Sequence, residues 1–290
     1  MKFQRQFADN YRFPLAHLLA LITLLLISCG SERRGPVKPM VVTSVTSQAY
    51  FVRRIGGDAV NVRVMIPPGA NPASYEPTME QMRALAKAAL YVQIGHPHFP
   101  FEKAWLHTLI SGRSELIVVN SSKGIDFHEE DPHIWVSVKN ARAISKNIAS
   151  GLKKIAPQHG EEFDRNLDRF LRETEDLDRE IRAALAGIQG KRFYVFHPAW
   201  YTFATEYGLQ QVAIEQDHKE PSPHDLQKII EQAKSDGAKT IFVQPQISQT
   251  SARLIAREIG GDVVQIDPLG EDWIASMRHA AQSIARALSK

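Results

Sequence analysis

The feature that most restricts the fold of this chain is the stretch from Pro157 to about Ala186, which carries no strand signal. Once Gly160 is passed, it also carries no internal Gly or Pro. Apolar residues recur at Phe163, Leu167, Phe170, Leu171, Leu177, Ile181 and Leu185, with charges filling the opposite face. Spacings of three and four place them on one stripe of a single long helix. Thirty residues at 1.5 Å each reach roughly 45 Å, about the length of a small domain. A rod with one apolar stripe either lies along its own chain or pairs with a second copy as a coiled coil. The flanking sequence favours the first.

On both sides of the rod, short runs rich in β-branched residues alternate with helical patterns. Val41 to Val45, Val60 to Ile66, Leu90 to Ile94 and Leu116 to Val119 read as strands, with helices over Met79 to Ala88 and Phe101 to Ser111. The pattern restarts at Phe193 to Phe196, Gln211 to Ile214, Thr240 to Val243 and Val263 to Ile266. Helical stretches at Ser222 to Ser235, Thr250 to Ile259 and Asp272 to Leu288 interleave with these. Such alternation predicts parallel sheets covered by helices. The expected fold is therefore α/β, with two lobes, each a small parallel sheet with flanking helices, joined by one spine helix. The expected plan is a signal at 1–28, a tether at 29–39, a first lobe at 40–155, the spine at 156–188 and a second lobe at 189–290.

The start of the chain reads as an address. Lys2, Arg5 and Arg12 precede an apolar run from Leu15 to Ile27, which ends in Ser28-Cys29-Gly30. A basic start, a short apolar core and a small residue before the cut describe a secretory signal. A run of about 13 residues is too short for a stable membrane span, which needs roughly 20. Cys29 is the one cysteine in the chain and falls where a bacterial lipoprotein signal places its own. That resemblance implies cleavage before Cys29, lipid on its thiol, and an exported protein on the periplasmic or extracellular side of a membrane.

Several functions are excluded by what the sequence lacks. Its 35 basic and 32 acidic residues give a formal net charge of +3, with no Lys/Arg run able to grip nucleic acid. A single cysteine rules out an internal disulfide and a cysteine-paired zinc finger. No glycine-rich Gly-Lys-Ser/Thr loop and no Gly-x-Ser-x-Gly elbow are present. Any ATPase must be another chain.

What remains is a set of histidines and a carboxylate placed after strand-like runs, where ligands gather in open parallel sheets. His96 and His98 follow Leu90 to Ile94, His197 follows Phe193 to Phe196, and Asp267 follows Val263 to Ile266. His133 follows the acidic turn Glu129-Glu130-Asp131-Pro132. Imidazole with carboxylate suits a divalent ion such as zinc, and also manganese or iron. The other histidines read as bland: His107, His159 and His279 on exposed helix faces, His218 and His224 at a surface or helix start, and His128 in a solvated acidic loop. Trp135, Trp200 and Tyr201 are expected to pack beneath the ligand loops.

Five short motifs then occur in a telling order: Asn71-Pro72-Ala73-Ser74-Tyr75-Glu76-Pro77, Asp131-Pro132-His133-Ile134-Trp135, His197-Pro198-Ala199-Trp200-Tyr201, Lys219-Glu220-Pro221-Ser222-Pro223 and Asp267-Pro268-Leu269. Together, from about Met40 onward, the chain resembles the metal-binding solute-binding proteins of zinc and manganese ABC importers. The resemblance implies one divalent ion held in a cleft between two lobes. It also implies a membrane permease with a separate cytoplasmic ATPase as partners, and a monomeric receptor with no catalysis. It makes His133, His197 and Asp267 three of the ligands.

The chain departs from the family at Ala73, where many members carry the first ligand histidine. A methyl group cannot bind a metal. His96 or His98 can supply the missing nitrogen, Glu76 can supply an oxygen, or a water can complete three protein ligands. His96 is favoured, because Gly95 permits close backbone approach and Pro97 limits the loop. Two other classes fit the same residues. One is a hydrolase with three protein ligands and a water on zinc, against which no local His-Glu-x-x-His base motif appears. The other is a receptor for a small organic or chelate ligand.

Overall fold

The computed structural model describes Lys38 to Ser289, apart from Glu129, residues 216–220 and Ser248. The signal, Cys29 and most of the tether lie outside the described residues, as do His218 and the Lys219-Glu220 pair. Two four-stranded sheets, all parallel, form the frame. The first contains β1 (Met40–Thr43), β2 (Asn61–Val64), β3 (Leu90–Gln93) and β4 (Ile117–Asn120), in the order β2-β1-β3-β4. The second contains β5 (Arg192–Val195), β6 (Gln210–Ala213), β7 (Thr240–Val243) and β8 (Asp262–Gln265), in the equivalent order β6-β5-β7-β8. In each lobe the strand order reverses beside the first strand, which opens a crevice at the carboxyl ends of the two central strands.

Nine helices are described: α1 (Thr46–Gly56), α2 (Met79–Ala86), α3 (Pro100–Ile110), α4 (Val138–Ile155), α5 (Gly160–Ala184), α6 (Tyr201–Glu206), α7 (Pro223–Ser235), α8 (Thr250–Glu258) and α9 (Trp273–Leu288). The spine is α5, with 25 residues, or about 37 Å of rise. It begins later than the sequence suggests because Pro157–His159 forms a separate 3-10 turn before it. Phe163, Phe170, Thr174, Leu177 and Ile181 form its buried face. That face is covered by α1, α4 and α9 of the same chain, so the coiled-coil alternative has no stripe left to use.

The spine does more than connect. Phe51 of α1 and Phe170 of α5 each meet Trp273 of α9 edge to face and lie tilted against one another, with Phe51 and Trp273 centroids 5.1 Å apart. One continuous apolar core therefore runs from the first sheet through the spine into the second lobe. Hydrogen bonds stitch the same seam. Trp135 Nε1 donates to the Pro268 carbonyl at 2.7 Å, and Trp273 Nε1 donates to the Trp135 carbonyl at 2.8 Å. Lys139 N–H at the start of α4 donates to Glu206 of α6 at 3.1 Å.

At the carboxyl end of β3, Gly95 has φ +77°, and a Cβ placed there would fall 1.8 Å from Asn120 Oδ1. Glu102 of α3, almost fully buried, accepts from the backbone N–H groups of Ile94 and Gly95 at 2.6 and 2.9 Å. Gly95→Ala is expected to lower stability by about 1–3 kcal/mol through backbone strain plus displacement of Asn120. Denaturant melts of the metal-free protein check this.

Candidate metal site

Parallel strands bring the predicted residues of the second lobe to one edge. His197 follows β5 and Asp267 follows β8, while β7 lies between those strands. His133 comes from the first lobe, on the loop before the 3-10 turn Ile134–Val136. Its ring meets that of His197 across the lobes, with centroids 5.2 Å apart and planes 83° to each other.

Each imidazole is oriented by a carboxylate. His133 Nδ1 pairs with Asp131 Oδ1 at 2.8 Å, and His197 Nδ1 pairs with Glu215 Oε2 at 3.1 Å. A carboxylate on Nδ1 holds the proton there and presents Nε2 as the lone-pair nitrogen, the usual arrangement behind metal-bound histidines. Burial pushes the His197 imidazole below its ordinary pKa, against the raising effect of Glu215, which keeps the ring neutral near pH 7. Neutral imidazole is the ligating form.

Asp131 also crosses the cleft. Its Oδ2 accepts from the Thr202 backbone N–H at 3.1 Å and from the Thr202 hydroxyl at 2.6 Å, at the start of α6. Burial alone would raise its pKa, but the bonds from His133 and Thr202 outweigh it and hold the carboxyl at about 2. A carboxylate depressed on folding stabilises the protein above its ordinary pKa near 4 and loses that contribution as pH falls toward 2. The contribution is about 2 kcal/mol. Asp131→Asn should therefore flatten the acid limb of stability between pH 4 and 2, a change visible in urea melts across that range.

Asp267 is half-buried. Its Oδ1 accepts from the Leu269 N–H and from Gln246 Nε2, both at 2.9 Å, while no described residue bonds to Oδ2. The candidates for the missing first ligand are placed differently. His96 is buried, but Nε2 faces the His128 carbonyl at 3.1 Å and Nδ1 accepts from the His98 N–H at 3.1 Å. Both nitrogens are thus engaged by backbone. His98 and Glu76 are exposed. Among the described residues, no three His, Cys, Asp or Glu side chains already form a metal-holding cluster.

Trp135 and Trp200 are buried as expected, and the Trp135 ring stands 5.3 Å from that of His133. Tyr201 is a correction: it is 39% exposed and lies against the His128 ring, because as the first residue of α6 it points outward. His107, His224 and His279 are exposed, as read, whereas His159 is half-buried against Phe163. The sequence reading missed the orienting carboxylates. Glu215 had a signal, since it follows β6 at the same sheet edge as His197.

Two linked α/β lobes, with imidazoles from both meeting in the cleft, define a two-lobed receptor of the metal-binding kind. The chain belongs to the family of periplasmic zinc-uptake complex component A proteins, which it matches over residues 41–287. It is similar to the high-affinity zinc uptake system protein ZnuA of Bacillus subtilis (strain 168), with 29% identity over 281 residues and 87% of each chain covered. It also resembles the manganese-binding lipoprotein MntA of Halalkalibacterium halodurans, at 24% identity over 94% of this chain and 97% of that one. A crystal structure of ZnuA superposes with a TM-score of 0.82 at 36% identity, covering 86% of this chain and 98% of the other. The chain is thus a transport receptor and not an enzyme. The hydrolase and organic-ligand readings have no support.

Proposed function

We propose that this receptor captures one zinc ion between its lobes through His133, His197 and Asp267, and delivers it to an ABC permease driven by a separate ATPase chain. The observation that carries the reading is the meeting of His133 and His197, each with its Nδ1 on a carboxylate. Two imidazoles and one carboxylate favour zinc over manganese, which takes more oxygen ligands; iron(II) accepts the same donor set and is separated from zinc by titration. His96 joins the shell only by giving up its bond to the His128 carbonyl, so a water is the better candidate for the position vacated at Ala73. Release requires a partner that binds another arrangement of the cleft more tightly, since a ligand shifts conformations only through differential affinity. The chain acts as a monomer, because its spine is covered from within, and is held at the membrane through lipid on Cys29.

Calorimetric titration of the metal-free protein with zinc, manganese and iron(II), beside elemental analysis of protein as purified, tests this reading. One zinc per chain, bound more tightly than manganese, is the expected result. Tighter manganese would reassign the cargo, and no stoichiometric metal would remove the proposal. His96→Ala should change zinc affinity by less than about threefold, well below the cost of losing a ligand or its orienting partner. Intact mass of the membrane-extracted protein reports whether Cys29 carries lipid.

A further inference from the structure

Gln246 occupies the loop after β7, the strand lying between those that deliver His197 and Asp267. In this sheet the crevice opens between β5 and β7, so the Gln246 loop forms one of its lips. Its Nε2 donates to Asp267 Oδ1 at 2.9 Å, and that oxygen also receives the Leu269 N–H. Its Oε1 is buried and has no hydrogen-bond partner among the described residues. Reversing the amide would set its oxygen against the carboxylate, so the orientation follows from the chemistry. A buried acceptor left unmade is costly, and such groups in a native protein point to a ligand, ion or water that satisfies them.

We infer that Gln246 is a positioning residue for the cargo ion. Its amide N–H pins Oδ1 of Asp267 so that Oδ2 alone meets the metal, and its amide oxygen accepts a hydrogen bond from a water carried on the ion. This rests on the reading of Asp267 as a ligand. The position vacated at Ala73 is where a four-coordinate ion would keep such a water. Glutamine fits both tasks: glutamate would repel Asp267, and a hydrocarbon would do neither. A pinned, one-oxygen carboxylate also suits compact zinc. A released carboxylate can chelate through both oxygens, as larger oxygen-seeking ions prefer.

The test is a chelator-competition titration of the metal-free protein with zinc and with manganese. It compares wild type, Gln246→Ala, Gln246→Glu, Asp267→Ala and the double variant Gln246→Ala/Asp267→Ala, with thermal melts of each without metal. Gln246→Ala is expected to lower zinc affinity by about tenfold and manganese affinity by less, as loss of an outer-shell partner does. The metal-free melt should stay at its wild-type position, and the effect should shrink once Asp267 is alanine, leaving only the bond to the water on the ion. Gln246→Glu keeps the side-chain volume but loses the donor, so it should also weaken zinc, whichever way the alanine variant folds. Wild-type zinc affinity in both Gln246 variants, with a loss in Asp267→Ala, overturns the role of Gln246 and leaves the site standing. An undiminished Gln246 effect without Asp267 also overturns it. Full affinity in Asp267→Ala removes the underlying ligand assignment.

Discussion

Replacing His133 by alanine is expected to lower zinc affinity by more than about 100-fold, and His197→Ala should do the same. Removing a partner that merely orients a ligand already costs roughly 10–100-fold, so removing the ligand nitrogen must cost more. The two variants are expected to behave alike because the rings are equivalent in construction: each comes from a different lobe and each has its Nδ1 on a carboxylate. Zinc should also raise the melting temperature of the wild type, since an ion present at 1,000 times its Kd stabilises by about 4 kcal/mol. At the same zinc concentration a 100-fold weaker variant has the ion at only about 10 times its Kd, so that rise should fall to about a third or less in both variants. Exposed His224, at the start of α7, is the control, and its alanine variant should keep both affinity and shift. Calorimetry and melts with and without zinc check the set. Wild-type affinity in His133→Ala would refute the shared site.

The second large effect is on stability. Trp273→Ala should cost about 3–5 kcal/mol, the range for deleting a large buried aromatic. For a protein of this size that lowers the melting temperature by about 10 °C. Trp273 is 1% exposed, packs against Phe51 and Phe170, and donates to the Trp135 carbonyl. Its removal opens the core at the junction of the first lobe, the spine and the second lobe. Trp273→Phe keeps most of the apolar contact but strands the Trp135 carbonyl, so about 1–3 kcal/mol is expected. Differential scanning calorimetry of both variants separates packing from hydrogen bonding.

The parts of this fold legible in the sequence are those where apolar and polar residues contrast sharply. The spine shows its stripe because charges occupy its other faces, and the strands stand out as β-branched runs. Helix α1 escapes the same reading for a physical reason. Its buried face includes Thr46, Ser47 and Gln48, polar residues held where close packing or a hydrogen bond suits them, so no continuous apolar stripe marks its first turn. Gln48, for example, accepts from the Ser44 and Val45 N–H groups and donates to Ser121. Helix α4 does carry a stripe, Val138, Ala141, Ile144, Ile148 and Leu152, which the sequence reading passed over.

The site divides along a similar line. His197 and Asp267 stand out as candidates because each closely follows a strand, and His133 because Pro132 and Trp135 frame it. Asp131 looked like part of a solvated acidic run, yet it is buried between His133 and Thr202. Gln246 gave no signal, because an amide between a proline and an isoleucine reads as ordinary loop. What a linear reading lacks is the pairing of Gln246 with Asp267, which only adjacent strands β7 and β8 create.

The indole of Trp135, two residues from His133, donates to the backbone carbonyl next to Asp267, and the Trp135 carbonyl in turn accepts from the Trp273 indole. With an oily seam rather than a watery hinge between the halves, wide opening would expose the very surface that holds the molecule together. A small movement at the mouth of the cleft therefore costs this receptor far less than a parting of its halves. The indole of Trp135, seated against the proposed ligand His133, is a ready-made optical gauge of metal binding there.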